Sequence, residues 1–249
     1  MAVLFEKTKL LTDKQFHYCP GCNHGIIHRL VAEVIDEMNL DGKVIGVAPV
    51  GCSVFAYDYF NCDMYEAAHG RAPAVATGIK RAVGKDTLVF TYQGDGDLAS
   101  IGTAEIVHAA HRGEKITTIF VNNAIYGMTG GQVAPTTLMG QKATTAPLGR
   151  SAINSGYPIN MAETLATLQG VCYSERVTVT NPQHVVRTKM AIRKAFELQL
   201  AGKGMSFLEI LSPCPTNWNM PPVKALEWIN TEMIKQYPLG VFKDEEEEK

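Results

Sequence analysis

Residues 88–97 read LVFTYQGDGD, in which a β-branched and aromatic run passes directly into a glycine- and aspartate-rich turn. The run predicts a buried strand, and its two glycines allow the backbone a tight turn at the carboxyl end. Ligands of open parallel sheets bind beyond the carboxyl ends of the strands. Asp95, which follows the strand directly, is therefore a candidate ligand-binding residue.

Strand and helix candidates alternate on both sides of this segment. Most of the strand candidates are near-continuous apolar runs, as expected of strands covered on both faces. The alternation predicts an α/β fold, doubly wound around a mainly parallel sheet, in a single domain with long loops. The strand candidates are residues 44–47, 88–92, 116–121 and 206–211, and the helix candidates are residues 25–38, 72–83, 100–112 and 182–200.

Length and composition fit one large domain. The 249 residues are 46% hydrophobic, and we place the domain at residues 1–235 and an acidic tail at residues 236–249. The net charge of −2 gives no support for a nucleic-acid or membrane partner. No apolar span reaches the ~20 residues of a transmembrane helix, and the first residues lack a secretory signal. We therefore expect a cytoplasmic protein.

Residues 127–155 differ from the rest of the chain. They contain five glycines, two prolines and seven serines or threonines, without a clean period. A long irregular segment inside a compact domain is usually functional or disordered. We interpret it as a binding loop that orders around a cofactor or partner, with a mobile surface loop as the alternative.

The turn after the strand candidate at residues 88–92 suits a magnesium diphosphate. Gly94 and Gly96 let the backbone approach a phosphate, and Asp95 offers Mg²⁺ a hard oxygen ligand. A helix that begins near Leu98 would direct its N–H groups at the same anion. The next strand candidate leads to Asn123, whose amide is placed to complete the metal shell. The pattern resembles a thiamine-diphosphate motif, and a structural turn or another phosphate ligand is the alternative.

Four cysteines form a second candidate site. The pair in CPGC at residues 19–22 is typical of metal or redox chemistry in a cytosolic protein. Cys52 and Cys214 each follow a strand candidate, and a parallel sheet would bring them to one rim. Four thiolates suit a [4Fe–4S] cluster, whereas a zinc site or unlinked thiols are alternatives.

These motifs, in this order, resemble the β subunit of 2-oxoacid:ferredoxin oxidoreductases, the subunit that carries thiamine diphosphate. The resemblance covers roughly residues 19–214 and is closest to the 2-oxoisovalerate (branched-chain) type. The motifs that carry it are CPGC at 19–22, GCS at 51–53, HGRA at 69–72, GDGD at 94–97, IG at 101–102, NN at 122–123 and YGMTGGQ at 126–132.

The resemblance implies three cofactors: thiamine diphosphate, Mg²⁺ and one [4Fe–4S] cluster. Asp95, Asn123 and the Ile125 carbonyl would bind Mg²⁺. Four thiolates would hold the cluster, those of Cys19, Cys22, Cys52 and Cys214. No general base is expected in this chain, because in the family it comes from the partner α subunit. The other residues expected around the cofactor are His24, Gly51, Ser53, His69, Gly70, Gly94, Gly96, Asp97, Leu98, Gly127 and Met128.

The implied activity is oxidative decarboxylation of a 2-oxoacid to acyl-CoA and CO₂, with electrons passed through the cluster to ferredoxin. The implied partners are an α subunit, γ and δ (ferredoxin-like) subunits, ferredoxin, coenzyme A and the 2-oxoacid. Some relatives, including those acting on 2-oxoglutarate, carry a basic residue where this chain has Phe55. Burying a second substrate carboxylate without a partner is costly, so Phe55 favours a branched aliphatic substrate such as 2-oxoisovalerate. Pyruvate or 2-oxoglutarate is the alternative.

Two other functions remain open at this point. One is a non-redox thiamine-diphosphate decarboxylase or synthase subunit with structural zinc, which would be colourless. The other is a metal-stabilised nucleotide-binding or regulatory module, which would not bind thiamine diphosphate and Mg²⁺.

Overall fold

The computed structural model describes residues 6–246. Residues 1–5, part of the amino-terminal stretch inspected for a signal, and residues 247–249, the end of the acidic tail, lie outside the described range. The described strands are β1 (Val44–Pro49), β2 (Asp63–Ala67), β3 (Leu88–Gly94), β4 (Thr117–Asn122), β5 (Val171–Thr178), β6 (Met205–Leu211) and β7 (Gly240–Asp244).

Within residues 6–246 these strands form one seven-stranded sheet in the order β2-β1-β3-β4-β6-β5-β7. All neighbouring pairs are parallel except β5 and β7. From β1 the chain goes first to β2 on one side and later to β3 on the other. The cleft beyond the ends of β1 and β3 is therefore a topological switch point, the place where open α/β sheets bind ligands.

Helices cover both faces of the sheet. They are α1 (His24–Glu37), α2 (Ala56–Tyr59), α3 (Ala72–Ala82), α4 (Thr103–His111), α5 (Ala152–Ser155), α6 (Met161–Ala166), α7 (Pro182–Leu200), α8 (Pro215–Trp218), α9 (Pro222–Trp228) and α10 (Ile234–Gln236). Segments Asp97–Ile101 and Ile229–Met233 are π-helical.

Two apolar cores separate the helices from the sheet. On one face, α1 and α7 bury Ile27 and Phe196 against the strands. On the other face, α3, α4 and α6 bury Ala76, Ile106 and Leu165. Helices on both faces of a mainly parallel sheet confirm the predicted doubly wound α/β class.

Three strands were not predicted from the sequence. β5 carries buried Ser174, Glu175 and Arg176 in place of an apolar run, and β2 is largely exposed at the sheet edge. β7 lies in the segment assigned to the acidic tail, and it pairs antiparallel with β5. The folded domain therefore extends to Asp244 rather than ending at residue 235.

The predicted helix at residues 100–112 is shorter than expected. Its regular part begins at Thr103, after the π-helical segment Asp97–Ile101. The other three predicted helices agree with α1, α3 and α7 to within one residue. Across residues 6–246, no helix combines the length and apolarity that crossing a bilayer requires.

Candidate functional site

The candidate residues lie along one rim of the sheet. Cys52 follows β1, Asp95 follows β3, Asn123 follows β4 and Cys214 follows β6. These four strands are consecutive neighbours in the sheet. Parallel pairing brings their carboxyl ends level, as in the pairs Gly94 with Val121 and Asn122 with Leu211. Residues that are up to 162 positions apart in the sequence therefore meet at one place.

A cleft opens at this rim, and most of the predicted cofactor-binding residues line it. Val50, Tyr126 and Thr129 also line it and were not predicted. The predicted residues in its wall are His24, Gly51, Cys52, His69, Gly94, Asp95, Gly96, Asp97, Asn123, Ile125, Gly127 and Met128.

Asp95 is a buried carboxylate held by three donors. Its Oδ1 accepts the N–H of Gly96 at 2.8 Å, and its Oδ2 accepts the N–H of Ile125 at 3.2 Å and the hydroxyl of Thr136 at 2.5 Å. Burial raises the pKa of Asp95 to about 6, and these hydrogen bonds oppose the rise. A divalent cation at this carboxylate would offset the cost of keeping the charge buried.

Asn123 lies beside this carboxylate. Its Oδ1 accepts the same Ile125 N–H at 3.2 Å that also reaches Asp95. Between Asn123 and Ile125, the backbone of Ala124 adopts φ +57°, so the chain turns back sharply after β4. Asp95 and Asn123 therefore bring a carboxylate and an amide side chain to one turn, and hard oxygen ligands of this kind fit Mg²⁺ with a diphosphate.

The two glycines of the turn differ in their surroundings. A Cβ on Gly96 would lie 2.4 Å from ring carbons of Tyr126, so this glycine is required for packing. A Cβ on Gly94 would meet nothing within 4 Å. Gly94 therefore leaves its space open on the cleft side, where a ligand can approach the backbone.

His69 and Asp97 form a pair at one wall of the cleft. The Nδ1 of His69 lies 2.6 Å from Oδ1 of Asp97, which also accepts the N–H of Gly70 at 2.5 Å. Gln93 donates to Oδ2 of Asp97 at 2.6 Å. Asp97 therefore places a carboxylate, itself held by Gly70 and Gln93, beside the ring of His69 at the cleft wall.

Four residues predicted around the cofactor or substrate have positions other than the cleft wall. Leu98 is fully buried in the core beneath α3 and α4, and Gly70 acts through its N–H to Asp97. Ser53 is 1% exposed, and its hydroxyl has no hydrogen-bond partner among the described residues. Phe55, the predicted substrate contact, packs its ring edge-on against His17 at 5.0 Å and does not line the cleft.

The four candidate ligand cysteines lie together beside the same cleft. A Cβ on Gly127 would be 3.2 Å from Sγ of Cys52 and 3.6 Å from Sγ of Cys214. Cys19 and Cys22 share a tight turn, closed by a 3.0 Å bond from the N–H of Cys22 to the Cys19 carbonyl. Cys19 is exposed, and the other three are partly buried.

These thiols also influence one another electrostatically. Burial, with smaller contributions from neighbouring Cys214 and Cys19, raises the pKa of Cys22 to about 12. Burial likewise raises the pKa of Cys52 to about 12, with contributions from Cys22, Cys214 and Asp95. Neighbouring thiols oppose the ionisation of Cys22 and Cys52, and a cationic metal centre would stabilise their thiolates, because metal ligands must be thiolates.

Four thiolates suit more than one kind of metal centre. Within residues 6–246, no three His, Cys, Asp or Glu side chains are arranged around a position for one metal ion. Zinc binds four thiolates at a single ion, with Zn–S bonds of about 2.3 Å. A cubic cluster binds each thiolate at a separate iron.

An aromatic group closes the inner side of the cysteine site. His24 bonds through Nδ1 to the Tyr92 hydroxyl at 2.8 Å, and Tyr18 stacks on His24 at 4.6 Å. Burial lowers the pKa of His24 to about 3, so the ring is neutral at pH 7. Tyr18 and Tyr92 were not predicted, and neither carries a sequence signal beyond its place near CPGC or in a strand.

The irregular segment at residues 127–155 is held by its own contacts. The guanidinium of Arg150 is 4% exposed and donates to six backbone carbonyls. These carbonyls belong to Ala134, Pro135, Thr137, Ser155, Gly156 and Tyr157. These contacts tie residues 134–137 to residues 155–157 through one buried side chain.

Comparison with known proteins agrees with this site. The family model "Thiamine pyrophosphate enzyme, C-terminal TPP binding domain" matches residues 49–210. Ketoisovalerate oxidoreductase subunit VorA of Methanothermobacter thermautotrophicus is 50% identical over 241 residues, 97% of this chain and 50% of the relative. The 2-oxoglutarate synthase subunit KorB of Methanocaldococcus jannaschii is 39% identical over 239 residues, 93% of this chain and 82% of the relative.

A solved structure shares the fold. The 2-oxoglutarate:ferredoxin oxidoreductase of Magnetococcus marinus superposes with a TM-score of 0.76 at 24% identity, over 97% of this chain and 85% of that one. The chain spans about half the length of the first curated relatives that it matches. The chain belongs to the 2-oxoacid:ferredoxin oxidoreductase family, and residues 49–210 form its thiamine pyrophosphate-binding domain.

Proposed function

We propose that this chain is the thiamine-diphosphate-binding subunit of a 2-oxoacid:ferredoxin oxidoreductase, and that its rim holds Mg²⁺, thiamine diphosphate and one [4Fe–4S] cluster. One observation carries the proposal. Side-chain oxygens of Asp95 and Asn123 both accept the Ile125 N–H. Asp95 also lies close enough to Cys52 for its charge to raise the pKa of the Cys52 thiol. A diphosphate anchor and a thiol group thus share one cleft.

The chain's own residues supply binding and orientation. Asp95, Asn123 and the Ile125 carbonyl would hold Mg²⁺, and Gly94 leaves the backbone open to the diphosphate. His69, beside Asp97 in the cleft wall, would contact a phosphate oxygen. When bound, thiamine diphosphate supplies an electron sink for decarboxylation, and an iron–sulfur cluster carries single electrons.

Cys19, Cys22, Cys52 and Cys214 would be the cluster ligands. Their position beside the candidate diphosphate anchor supports a metal centre there, and four thiolates suit a [4Fe–4S] cluster. Asn217 donates through Nδ2 to Sγ of Cys214 at 3.2 Å, a contact that favours the thiolate form. Cys62 and Cys172, the other two cysteines, are separate from this group. Cys172 is fully buried against Ser206.

Relatives support a branched-chain substrate. A ketoisovalerate oxidoreductase subunit is 50% identical to this chain, whereas a 2-oxoglutarate synthase subunit is 39% identical. We therefore propose oxidative decarboxylation of 2-oxoisovalerate or a related acid to acyl-CoA, with ferredoxin as electron acceptor. The α subunit would complete the pocket and provide the general base, and γ and δ subunits would complete the complex.

Binding of thiamine diphosphate with Mg²⁺ tests the anchor. We expect Asp95→Asn to weaken this binding by more than the roughly 10–100-fold that loss of an outer contact to a metal ligand costs. The binding is measured by calorimetry on the anaerobically purified complex, with exposed Asp63→Asn on β2 as the matched control. Equal affinities for wild type and Asp95→Asn would refute the assignment.

The substrate is tested by ferredoxin-linked assays across a panel of 2-oxoacids. The proposal expects the highest kcat/KM with branched-chain acids. Phe55→Arg should shift the relative kcat/KM towards 2-oxoglutarate, since the new cation would pair with the second carboxylate. Unchanged ratios would show that Phe55 does not contact substrate in the assembled complex. A complex that decarboxylates without reducing ferredoxin would instead indicate the non-redox enzyme.

A further inference from the structure

Thr136 contacts the metal-ligand candidate Asp95 from a distant part of the chain. Its side chain is fully buried, and its hydroxyl donates to Oδ2 of Asp95 at 2.5 Å across 41 residues. Thr136 follows the glycine-rich segment and was not among the predicted site residues. Nothing in the family match assigns it a role, and it does not line the cleft.

The two carboxylate oxygens of Asp95 accept different numbers of hydrogen bonds from other residues. A carboxylate oxygen has two lone-pair positions. Oδ2 accepts from both Ile125 and Thr136, so both of its positions are used. Among the described residues, the N–H of Gly96 is the donor that another residue supplies to Oδ1, so Oδ1 is the less occupied of the two oxygens.

We propose that Thr136 is a positioning residue: its hydroxyl saturates Oδ2 of Asp95 and thereby presents Oδ1 to the divalent cation that accompanies the diphosphate. The inference rests on the proposed function, because it concerns the cation that Asp95 would bind. Under this proposal, Asp95 binds the cation through Oδ1 and not through Oδ2. The proposal also makes the irregular segment part of the cation site without any direct ligand from that segment.

Thr136 can act in this way because its backbone is fixed from several sides. Its own carbonyl accepts the hydroxyl of Tyr237 at 2.6 Å. Arg150 donates to the carbonyls of Ala134 and Pro135 at 3.0 Å, on the amino-terminal side of Thr136. Arg150 also donates to the carbonyl of Thr137, on the carboxyl-terminal side of Thr136. The hydroxyl of Thr136 therefore reaches Asp95 from a backbone held in place.

Thr136→Val tests the proposal, because valine keeps the shape of threonine and removes the donor. The full complex is stripped of cofactors with a chelator, and Mg²⁺ is titrated calorimetrically at saturating thiamine diphosphate. We expect Mg²⁺ to bind about 10–100-fold more weakly, the usual effect of losing an outer contact to a metal ligand. Thr136→Ser restores the hydroxyl and should bind within about threefold of wild type.

Thr137→Val is the matched control. Thr137 is equally buried and makes a similar bond, but to a backbone carbonyl and not to Asp95. Its variant should lower the thermal unfolding midpoint of the cation-free complex at least as much as Thr136→Val does, while Mg²⁺ affinity stays within about threefold of wild type. If the valine at residue 136 prevents folding, Thr136→Ala removes the same donor without adding a methyl group there.

The outcomes separate the two proposals. Mg²⁺ affinity unchanged in Thr136→Val, or lowered equally in Thr137→Val, would overturn the positioning role. Failure of serine to restore affinity would also overturn it. Failure of the wild-type complex to bind thiamine diphosphate with Mg²⁺ would instead refute the proposed function.

Discussion

Single side chains at this rim have chemical states set by burial. Asp95 keeps a carboxylate inside the protein only with the help of three hydrogen bonds, and His24 and His28 are buried as neutral rings. The sequence predicted Asp95, Asn123 and His69 at the cleft, because each lies in a short motif beside a strand or helix candidate. It did not predict Thr136, because its partner Asp95 is 41 residues away and only the fold brings them together.

His28 should make the protein sensitive to acid. Its ring is fully buried, bonds to the Tyr18 hydroxyl at 2.6 Å and stacks on Tyr92. Burial lowers the pKa of His28 well below its usual value, and nearby His24 and His17 lower it further. Below about pH 6.5 the unfolded chain therefore binds a proton at His28 that the folded chain does not, and stability falls as the pH falls.

The variant His28→Gln tests whether His28 causes this loss of stability at low pH. We expect its free energy of unfolding to fall less steeply between pH 6.5 and 5 than that of wild type, by up to about 1.4 kcal/mol per pH unit. Denaturant unfolding at several pH values measures the slope. His111→Gln, at an exposed position on α4, should keep the wild-type slope. A slope for His28→Gln equal to that of wild type would contradict the account.

At the scale of elements, the strand ends and the turns that follow them build the site. Four predicted strands correspond to β1, β3, β4 and β6, the strands that carry the rim residues. They were predictable because each is an apolar run. β5 was not, since its buried Arg176 and Glu175 are compensated by partners elsewhere in the fold. β7 was not predicted because its residues, GVFKD, lead into a charge-rich terminus.

The turn after β3 yields a prediction from its two glycines. Gly96→Ala should lower the free energy of unfolding by about 1–3 kcal/mol, because the new Cβ would overlap the ring of Tyr126. Gly94→Ala should not destabilise the fold, because its Cβ meets nothing within 4 Å. It should instead weaken thiamine-diphosphate binding, since the methyl group enters the cleft. Denaturant unfolding and calorimetry measure the two effects. Equal loss of stability in both variants would contradict this reading of the turn.

At the scale of the whole molecule, a buried ion pair in the sheet is linked to the site through the end of β4. Arg176 on β5 and Glu209 on β6 are both fully buried, with Nη2 and Oε2 3.0 Å apart. Arg176 also pairs with Glu163 on α6. Glu209 accepts a 2.7 Å bond from Asn122, which precedes Asn123. The network thus links α6, β5, β6 and the end of β4. Its partners are distant in sequence, so it was not predictable.

Arg176→Met should leave the carboxylate of Glu209 buried without its cation. Breaking one side of a buried pair costs about 3–5 kcal/mol, and we expect a loss of that size in the free energy of unfolding. Arg193→Met, which removes a surface pair with Glu37 on α1, should cost less than about 1 kcal/mol. Denaturant unfolding compares the two variants. A similar small loss in both would show that Glu209 is not left as an unpaired charge.

The central claim is that one rim of the sheet holds a diphosphate anchor beside a four-thiolate cluster. Its most direct test is to assay iron, acid-labile sulfide, zinc and thiamine diphosphate together in one anaerobic preparation of the complex, alongside Cys214→Ala. For the site on this chain, after subtracting clusters on partner subunits, we predict about four irons, about four sulfides and one thiamine diphosphate. Cys214→Ala should lose that iron and sulfide. Zinc in their place, or full retention of iron and sulfide in Cys214→Ala, would contradict the account.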